Sequence, residues 1–510
     1  MNAPLRRLAL ALGLLFLALL VNATWVQVGQ AHSLNHRADN PRPLLTRLTT
    51  DRGTIQLADG STVLAASFLS KDGRTYDRVY SPDPTTHQPN LAQAELFADV
   101  TGWAGVISTS GIEQSEDDLL SGNDDRLAIR NFTDTLAGKQ KQGGSVELTL
   151  DKAGQQAAYT SLQRALGSSG HSGAVVALDV QTGKVLVLVT LPTFDPNPIA
   201  SRDGSAAQQA YDALLKQDGN PLFDRATQGR YPPGSMFKLV TSATALSNGY
   251  HPTTTIDAPA TYTPPLTSLA IHNFAGELCG AGGKQQLQDA LATSCNTAFA
   301  KLGVKLGQSK LQAQAAAFGI GQGTPPFPLP WARSTFATGQ LDPPSLAQSA
   351  IGQRDVALTP MQAAMIVQAI GNDGHLITPY LVDKELAPDK SQLATGHGSD
   401  AGQVITQQVA SELTLMMRGV VVKGTAAGVF DPTLAVAGKT GTAQHGTDRN
   451  GVLLPPDTWF AGFNTAGSRR VAVVAFVEDG GTQGAAAQGA TVAAPIVRDV
   501  MNALVHPPGQ

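Results

Sequence analysis

A chain of 510 residues is too long for one ordinary hydrophobic core, so its length predicts at least two domains. Hydrophobic residues make up 42% of the sequence, which is typical of a globular protein. A formal net charge of −4 without any basic run gives no sign of a nucleic-acid partner. We expect no cofactor and no bound metal, because no His and Cys residues have the spacing of metal ligands.

The N-terminus carries an apolar segment. Arg6–Arg7 precede the unbroken apolar run Leu8–Val21, which continues as a half-apolar stretch to Val28. The whole segment Leu8–Val28 is just long enough to span a membrane. The positive charge keeps the N-terminus inside and places the rest of the chain outside. Cleavage as a signal peptide after Ala23 is one interpretation. We favour an uncleaved anchor, with a cytoplasmic stub and membrane anchor at 1–28 and a single-pass cell-membrane protein whose catalytic domain is extracytoplasmic.

Residues 29–145 are expected to form a smaller, β-rich and non-catalytic domain. The stretch 52–65 predicts two strands around an Asp-Gly turn, and 78–84 predicts a strand followed by a turn. The acidic stretch 111–120 predicts a short helix. Such short elements suggest a pedestal or a dimerisation-like module. A flexible polar linker is predicted at 138–144, and it marks the domain boundary.

The remainder, 146–510, is expected to be one catalytic domain. Strands enclose a helical middle: a hairpin at 173–189, mostly helices from 235 to 370, and then strands at 435–443, 458–463 and 470–477 before a closing helix at 492–504. The hairpin indicates the start of an antiparallel sheet. The pattern therefore predicts an α+β fold in which an antiparallel sheet is covered by helices from the same domain.

A Ser-x-x-Lys element stands where a broken loop turns into a predicted helix. Ser235 follows Pro232–Gly234, and the helix is expected to end at Leu246, before Asn248-Gly249. Because residues three apart share a helix face, the Lys238 amine is expected beside the Ser235 hydroxyl. Serine needs a neighbouring base, and lysine can be that base only if burial or a second cation lowers its pKa. Alone the element is weak, because such pairs are more often simply solvated.

Two companion elements follow in order and change that judgement. Ser294-Cys295-Asn296 is a Ser-x-Asn element, and Lys439-Thr440-Gly441-Thr442 contains a Lys-Thr-Gly element. The chain has no second Ser-x-x-Lys, and the three elements together match the motif set of penicillin-binding proteins and serine β-lactamases. The nearby Lys423-Gly424-Thr425 has similar residues in another order, and we discount it.

The two cysteines, Cys279 and Cys295, fit an exported protein in which they form a disulfide. Closing so short a loop would contribute about 3 kcal/mol in the chain-entropy model. A bridge at Cys295 would brace the loop between Ser294 and Asn296. Two separate buried thiols remain the alternative.

Over nearly its whole length the chain resembles a class B penicillin-binding protein, and it is most similar to the actinobacterial PBPA type. Besides the three motifs, the resemblance rests on Arg52-Gly-Thr-Ile, Gly111-Ile-Glu, His272-Asn-Phe-Ala-Gly, Gly352-Gln-Arg-Asp-Val-Ala-Leu-Thr-Pro and Lys439-Thr-Gly-Thr-Ala-Gln-His-Gly-Thr-Asp. It implies a penicillin-binding transpeptidase domain of the serine β-lactamase-like fold. The implied activity is D,D-transpeptidation of peptidoglycan stem peptides in cell-wall synthesis for cell division or cell shape, with attack on D-Ala-D-Ala, release of the last D-Ala and transfer to a neighbouring amine. It also implies acylation by β-lactams and a membrane-embedded glycan polymerase as partner.

Each motif residue then receives an expected role. Ser235 attacks the carbonyl after giving its proton to Lys238. Ser294 relays a proton to the leaving amine, and Asn296 holds the donor peptide and the Lys238 amine. Lys439 helps to keep Lys238 neutral by like-charge repulsion, and it attracts a substrate carboxylate.

The remaining motif residues are expected to bind the substrate. Thr440 and Thr442 offer hydroxyls to its carboxylate, and Gly441 lets an extended peptide approach the edge of the strand. The backbone N–H groups of Ser235 and Thr442 are the candidates for an oxyanion hole.

Two alternatives use the same Ser-x-x-Lys chemistry. A serine β-lactamase of class A needs a carboxylate after the Ser-x-Asn element, and the stretch 296–341 contains neither Asp nor Glu. That argues against class A, although a lysine-based hydrolase is not excluded. A D,D-carboxypeptidase, which transfers the acyl group to water, is harder to exclude because the acceptor pocket has no motif.

Overall fold

The computed structural model describes residues 2–30, 48–128, 140–168, 170–447, 452–467 and 469–506. The strands in these ranges, in chain order, are β1 (Ile55–Leu57), β2 (Val63–Leu69), β3 (Tyr76–Tyr80), β4 (Ser145–Leu148), β5 (Gly173–Asp179), β6 (Val185–Leu191), β7 (Thr255–Asp257), β8 (Thr261–Tyr262), β9 (Ile271–His272), β10 (Lys284–Gln286), β11 (His375–Ile377), β12 (Val382–Leu386), β13 (Gln392–Thr395), β14 (Asp400–Gln403), β15 (Val436–Ala443), β16 (Asp457–Asn464) and β17 (Val471–Val477).

The α-helices in the same ranges are α1 (Asn2–Thr24), α2 (Leu91–Thr101), α3 (Gly111–Ser115), α4 (Asp117–Leu120), α5 (Lys152–Leu166), α6 (Gly204–Leu215), α7 (Lys238–Leu246), α8 (Leu287–Ala292), α9 (Asn296–Leu306), α10 (Gln308–Ala317), α11 (Pro343–Ser349), α12 (Pro360–Gly371), α13 (Gln407–Val422) and α14 (Ala493–Val505). Several begin with a side-chain cap, such as Asp151 before α5 and Thr359 before α12, as expected for residues that satisfy free backbone N–H groups.

The centre of the catalytic domain is a five-stranded antiparallel sheet in the order β15-β16-β17-β5-β6. Every residue of β16 and β17 is buried, so both faces of the sheet are covered. Helices α5 and α14 pack against each other and on the sheet. Helix α12, from the helical middle of the chain, and α13, which precedes β15, also pack on it. The predicted α+β fold, an antiparallel sheet covered by helices, is confirmed. Its two edge strands are β15 and β6.

The N-terminal region is built on a six-stranded sheet in the order β13-β12-β4-β1-β2-β3. The predicted strand-turn-strand is present as β1 and β2. β4 runs parallel to β1 on one side and antiparallel to β12 on the other. Because β12 and β13 come from the second half of the chain, a boundary at residue 145 divides one sheet between the two expected domains.

The glycines before β4 differ from the expected flexible linker. Gly143 donates a backbone hydrogen bond of 2.9 Å to Asp51, and a Cβ on Gly143 would lie 1.7 Å from the carbonyl oxygen of Leu120. Glycine allows this close approach of backbones because it has no side chain. Positions 138–139 of the predicted linker lie outside the described residues, but 140–144 are packed against the N-terminal region.

A buried ion cluster fastens the N-terminal region. The carboxylate of Glu113, which is fully buried, accepts hydrogen bonds from Arg52 at 2.5 Å and Arg78 at 2.6 Å. Burial opposes its ionisation, but the two guanidinium groups outweigh burial and hold the pKa of Glu113 below its usual value. Arg52 also binds Asp117 at 2.6 Å. The cluster gives the Arg52-Gly-Thr-Ile segment a structural role.

The N-terminal helix α1 contains the predicted apolar segment. Its stretch Pro4–Thr24 has 21 residues and a mean hydropathy of 2.0, and none of it is buried against the rest of the protein. By length and composition this is the one described helix that could cross a membrane.

Candidate active site

Ser235 lies on a tight turn at the entrance to α7. The turn, Gly234–Phe237, is a 3-10 helix, and α7 begins directly after it at Lys238. Gly234 has a φ of 51°, which glycine adopts without steric penalty. In a 3-10 turn the side chains three residues apart eclipse each other. Ser235 and Lys238 therefore share a face, as predicted, although the helix that carries them starts in a tighter form.

Two residues of the sheet hold this turn in place. The indole Nε1 of Trp459 donates a hydrogen bond of 3.0 Å to the carbonyl oxygen of Pro232. A Cβ on Gly441 would lie 2.7 Å from the carbonyl oxygen of Pro233 and 2.8 Å from Cβ of Trp459. The missing side chain of Gly441 thus makes room for the turn that carries Ser235.

Lys238 is fully buried at the centre of the site. Its Nζ donates to the backbone oxygen of Ser294 at 2.6 Å and to Asn296 Oδ1 at 2.7 Å, and the hydroxyl oxygen of Ser294 lies 3.3 Å from it. Burial, and then the nearby charge of Lys439, lower the pKa of the Lys238 amine well below its ordinary value. No carboxylate of the described residues forms an ion pair with it. Lys238 therefore favours the neutral amine that can act as a base.

The Ser-x-Asn element forms the loop between α8 and α9. Ser294 has a φ of 59°, a left-handed conformation that is unfavourable by roughly 1–2 kcal/mol for a residue with a side chain. Its Oγ contacts both lysines, with Lys238 Nζ at 3.3 Å and Lys439 Nζ at 2.9 Å. Asn296 is the first residue of α9, and its Nδ2 donates to the backbone oxygen of His272 at 3.1 Å. The strained serine therefore bridges the two amines.

A disulfide braces this loop. The sulfur atoms of Cys279 and Cys295 are 2.11 Å apart, and Cys295 is buried between the two polar members of the element. The bridge ties the start of α9 to the segment that precedes β10.

Lys439 lies on the edge strand β15 and is fully buried. Besides Ser294, its Nζ donates to the backbone oxygen of Thr440 at 3.0 Å and to Thr440 Oγ1 at 3.3 Å. Burial lowers the pKa of the Lys439 amine to about 7. At neutral pH this group therefore exchanges between its charged and neutral forms.

The segments that carry the two candidate oxyanion donors are in contact. A Cβ on Gly234, the residue before Ser235, would lie 2.6 Å from the carbonyl oxygen of Thr442. The hydroxyl of Thr442 in turn accepts a hydrogen bond of 3.3 Å from the backbone of Gly489. The end of β15 and the turn of Ser235 thus border the same space.

The structure brings most of the candidate catalytic residues into one network, and the hydroxyl of Ser235 is the exception. Lys238, Ser294, Asn296 and Lys439 form one hydrogen-bonded network, and Thr440 joins it. The hydroxyl of Ser235 makes no hydrogen bond to the residues that the structure describes. In a free enzyme such contacts are often loose and tighten only when substrate binds.

Sequence reasoning assigned no role to two residues that touch these motifs. The buried Asn273 accepts a hydrogen bond of 3.1 Å from the backbone N–H of Thr297 in the first turn of α9. The hydroxyl of Thr425 lies 2.7 Å from that of Thr440. Neither contact has a signal in motif spacing, because each depends on segments that meet only in the folded chain.

Comparisons with known proteins agree with this geometry. The model of the penicillin binding protein transpeptidase domain matches residues 173–502, and that of the penicillin binding protein A dimerisation domain matches residues 52–146. The chain is 42% identical to the peptidoglycan D,D-transpeptidase PbpA of Mycolicibacterium smegmatis, with 99% of each chain covered. It is 38% identical, again over 99% of both chains, to the protein of that name from Mycobacterium tuberculosis.

A solved structure extends the comparison. The fold resembles penicillin-binding protein A from M. tuberculosis in its penicillin G acyl-enzyme complex, with a TM-score of 0.81, 37% identity and coverage of 90% of this chain and all of that one. The chain therefore belongs to the class B penicillin-binding proteins, as a member that joins their transpeptidase domain to the N-terminal domain of the A type.

Proposed function

We propose that this protein is a peptidoglycan D,D-transpeptidase that works through a serine acyl-enzyme on Ser235. The observation that carries the proposal is the pair of fully buried lysines, Lys238 and Lys439, that meet at Ser294 Oγ beside the turn of Ser235. The relatives at 38–42% identity bear the name of this activity.

Acylation begins at Ser235. The neutral Lys238 amine takes the hydroxyl proton as Ser235 Oγ attacks the carbonyl carbon of the penultimate D-Ala. The resulting oxyanion receives hydrogen bonds from the backbone N–H groups of Ser235 and Thr442. When the tetrahedral intermediate collapses, the bond to the terminal D-Ala breaks, and the proton held by Lys238 reaches the leaving amine through Ser294. An ester between Ser235 and the stem peptide remains.

Transfer reverses this proton path. The amine of a neighbouring stem peptide attacks the ester carbonyl and gives up a proton through Ser294 to Lys238. Collapse then returns that proton to Ser235 Oγ and releases the cross-linked peptide. Asn296 orients both the donor peptide and the amine of Lys238, to which it is bonded at 2.7 Å.

Substrate recognition is assigned to the edge strand. Lys439 in its charged form attracts the terminal carboxylate, and the hydroxyls of Thr440 and Thr442 bind it. Because β15 pairs with a neighbour on one side only, its free edge can bind an extended peptide as an added strand. β-Lactams enter the same way, since their carboxylate and strained amide present the same groups to Lys439 and Ser235.

The domain plan supports work beside a membrane. We assign 1–28 to a cytoplasmic stub and single-pass anchor, 29–145 to the non-catalytic N-terminal domain and 146–510 to the extracytoplasmic transpeptidase domain. The glycan strands would come from a membrane-embedded polymerase, the partner that the resemblance to class B penicillin-binding proteins implies. The exposed apolar helix α1 supports the anchor.

Two hydrolytic alternatives differ in the acyl acceptor. A serine β-lactamase would need a group that activates water at the ester, and no carboxylate among the described residues pairs with Lys238 or Lys439. A D,D-carboxypeptidase would release the stem peptide to water instead of to an amine. The test therefore measures both the lifetime of the acyl-enzyme and the fate of the peptide.

The test uses the full chain in detergent with a fluorescent penicillin. We expect a stable covalent adduct that is absent from Ser235→Ala and unchanged in Ser247→Ala, which removes an exposed hydroxyl at the end of α7. The same preparations receive a D-Ala-D-Ala donor peptide and an amine acceptor, with products followed by mass spectrometry. Cross-linked product supports the proposal.

Other results would each exclude it. Hydrolysed donor without cross-linked product would show a carboxypeptidase. Turnover of the label within minutes would show a β-lactamase. Labelling of Ser235→Ala at the wild-type level would remove Ser235 from its role.

A further inference from the structure

The segment Lys423-Gly424-Thr425, just beyond the end of α13, touches the segments that carry two of the three motifs. The hydroxyl oxygens of Thr425 and Thr440 are 2.7 Å apart. The backbone N–H of Thr425 donates at 3.1 Å to the carbonyl oxygen of Ala292, two residues before Ser294. One short turn is therefore bonded to the strand of Lys439 and to the helix that leads into the Ser294 loop.

The position of Thr425 is tightly fixed. A Cβ on Gly424 would lie 2.2 Å from the carbonyl oxygen of Ala292, so the two backbones are in direct contact. On the other side, Lys423 Nζ forms an ion pair of 2.7 Å with Asp289 on α8. These contacts hold the hydroxyl of Thr425 at one place relative to Thr440.

The contact between Thr425 and Thr440 decides where the hydroxyl proton of Thr440 can point. A threonine hydroxyl has one proton to donate and two lone pairs that accept. In the charged form that binds the carboxylate, Lys439 Nζ has three protons for its three partners, so its contact with Thr440 Oγ1 at 3.3 Å fills one lone pair. If Thr425 donates its own proton, the second lone pair is filled and the proton of Thr440 is free to point into the cleft. If Thr440 donates to Thr425 instead, that proton is used up.

We propose that Thr425 is a positioning residue that donates its hydroxyl proton to Thr440 and so leaves the Thr440 proton for the carboxylate of the substrate or of a β-lactam. The inference rests on the proposed function, in which Thr440 binds that carboxylate. A carboxylate accepts but cannot donate, so a correctly aimed proton on Thr440 decides whether this contact attracts or repels it.

The test compares a carboxylate ligand with one that lacks the charge. We would measure the second-order rate constant of acylation by penicillin G and by its methyl ester, using the full chain in detergent. The variants are Thr425→Val, which keeps the shape but cannot donate, Thr425→Ser, which keeps the donor, and Thr440→Val. Thr425→Val is expected to slow acylation by the acid about ten-fold, as for a lost hydrogen bond to a charged group, and to leave the ester nearly unchanged.

Two further results are expected. Thr425→Ser should retain the wild-type preference for the acid. The double variant Thr425→Val/Thr440→Val should be no slower with the acid than Thr440→Val alone, because both changes remove the same contact.

The overturning outcomes are distinct from a failure of the proposed function. Equal loss with acid and ester would make Thr425 a general structural residue, and additive losses in the double variant would show that Thr425 acts without Thr440. A wild-type protein that acylates but does not distinguish acid from ester would remove the assigned role of Thr440, and this inference with it. A wild-type protein that forms no adduct at Ser235 would remove the proposed function itself.

Discussion

The buried amine of Lys439 predicts a measurable conflict between stability and function. Burial lowers its pKa from the ordinary 10.5 to about 7, and it has no carboxylate partner among the described residues. In the unfolded chain at pH 7 the lysine is almost entirely protonated, so folding either removes that proton or buries the charge. By linkage this costs about 4 kcal/mol at pH 7.

Replacing Lys439 with Met keeps much of the volume and removes this cost. The variant loses the hydrogen bonds to Ser294 Oγ and to the Thr440 carbonyl, about 2 kcal/mol together. We therefore expect Lys439→Met to be about 2 kcal/mol more stable than the wild type at pH 7, or a few degrees in Tm, and to be inactive.

The sign of the pH dependence makes the prediction specific. Below about pH 7 the amine is charged in both states, and the folded protein carries the full penalty. Between about pH 7 and the unfolded pKa near 10.4, the unfolded chain binds more protons than the folded one, so wild-type stability rises with pH. The advantage of Lys439→Met should then shrink, by about 1.4 kcal/mol per pH unit once the pH is well above 7, and vanish near pH 9.

The assay is thermal unfolding followed by tryptophan fluorescence at pH 6.5, 7.5, 8.5 and 9.5. Lys310→Met, which removes a charge from the exposed side of α10, corrects for the effect of net charge. A difference between Lys439→Met and the wild type that stays constant from pH 7 to 9.5 would refute the reasoning, because it would mean that Lys439 does not lose its proton on folding.

Three further predictions follow from the same site. The second-order rate constant of acylation by penicillin G should decline above about pH 7 as Lys439 loses its charge, and on the acid side as Lys238 gains a proton; a profile that rises steadily from pH 6 to 10 would contradict this. Gly441→Ala should lower Tm and slow acylation at least ten-fold, because its Cβ would lie 2.7 Å from the Pro233 oxygen, where overpacking typically destabilises by about 1–3 kcal/mol. Ser294→Gly should be more stable than Ser294→Ala by about 1 kcal/mol in thermal unfolding, because glycine relieves the strain at φ 59°; equal stability would argue against strain.

Much of the active site could be predicted from sequence because its chemistry depends on residues that stand close together in the chain. Ser235 and Lys238 share a face through local geometry alone. Each motif can be recognised within a few residues, however far the three motifs lie from one another in the sequence. The strands of the catalytic sheet were also predictable, because runs such as Val471–Val477 are apolar throughout. The resemblance to a known family added the prediction that the three motifs come together in one active site.

What could not be predicted depends on contacts between distant segments. The composition of 138–144 predicts a flexible linker, because composition alone cannot distinguish a loose segment from one where two backbones touch, as they do at Gly143. Thr425 has no predicted role, because Lys423-Gly424-Thr425 has the residues of the Lys-Thr-Gly motif in another order. Its contact with Thr440 arises from the way α13 ends. The strained φ of Ser294 likewise follows from the packing of α8 and α9 around it and has no local sequence signal.

The sheet that joins the two halves of the chain affects how the protein is made. A ribosome adds residues in order at about 5–20 per second, so β12 is synthesised roughly 10–50 s after β4, about 230 residues later. During that interval β4 can pair with β1 but presents an open edge on its other side. A growing chain therefore passes through a stage at which a strand of another copy can occupy the place of β12. Fragments that end after β4 but before residue 382 would keep that edge permanently, so they should aggregate even though they contain the whole matched dimerisation region.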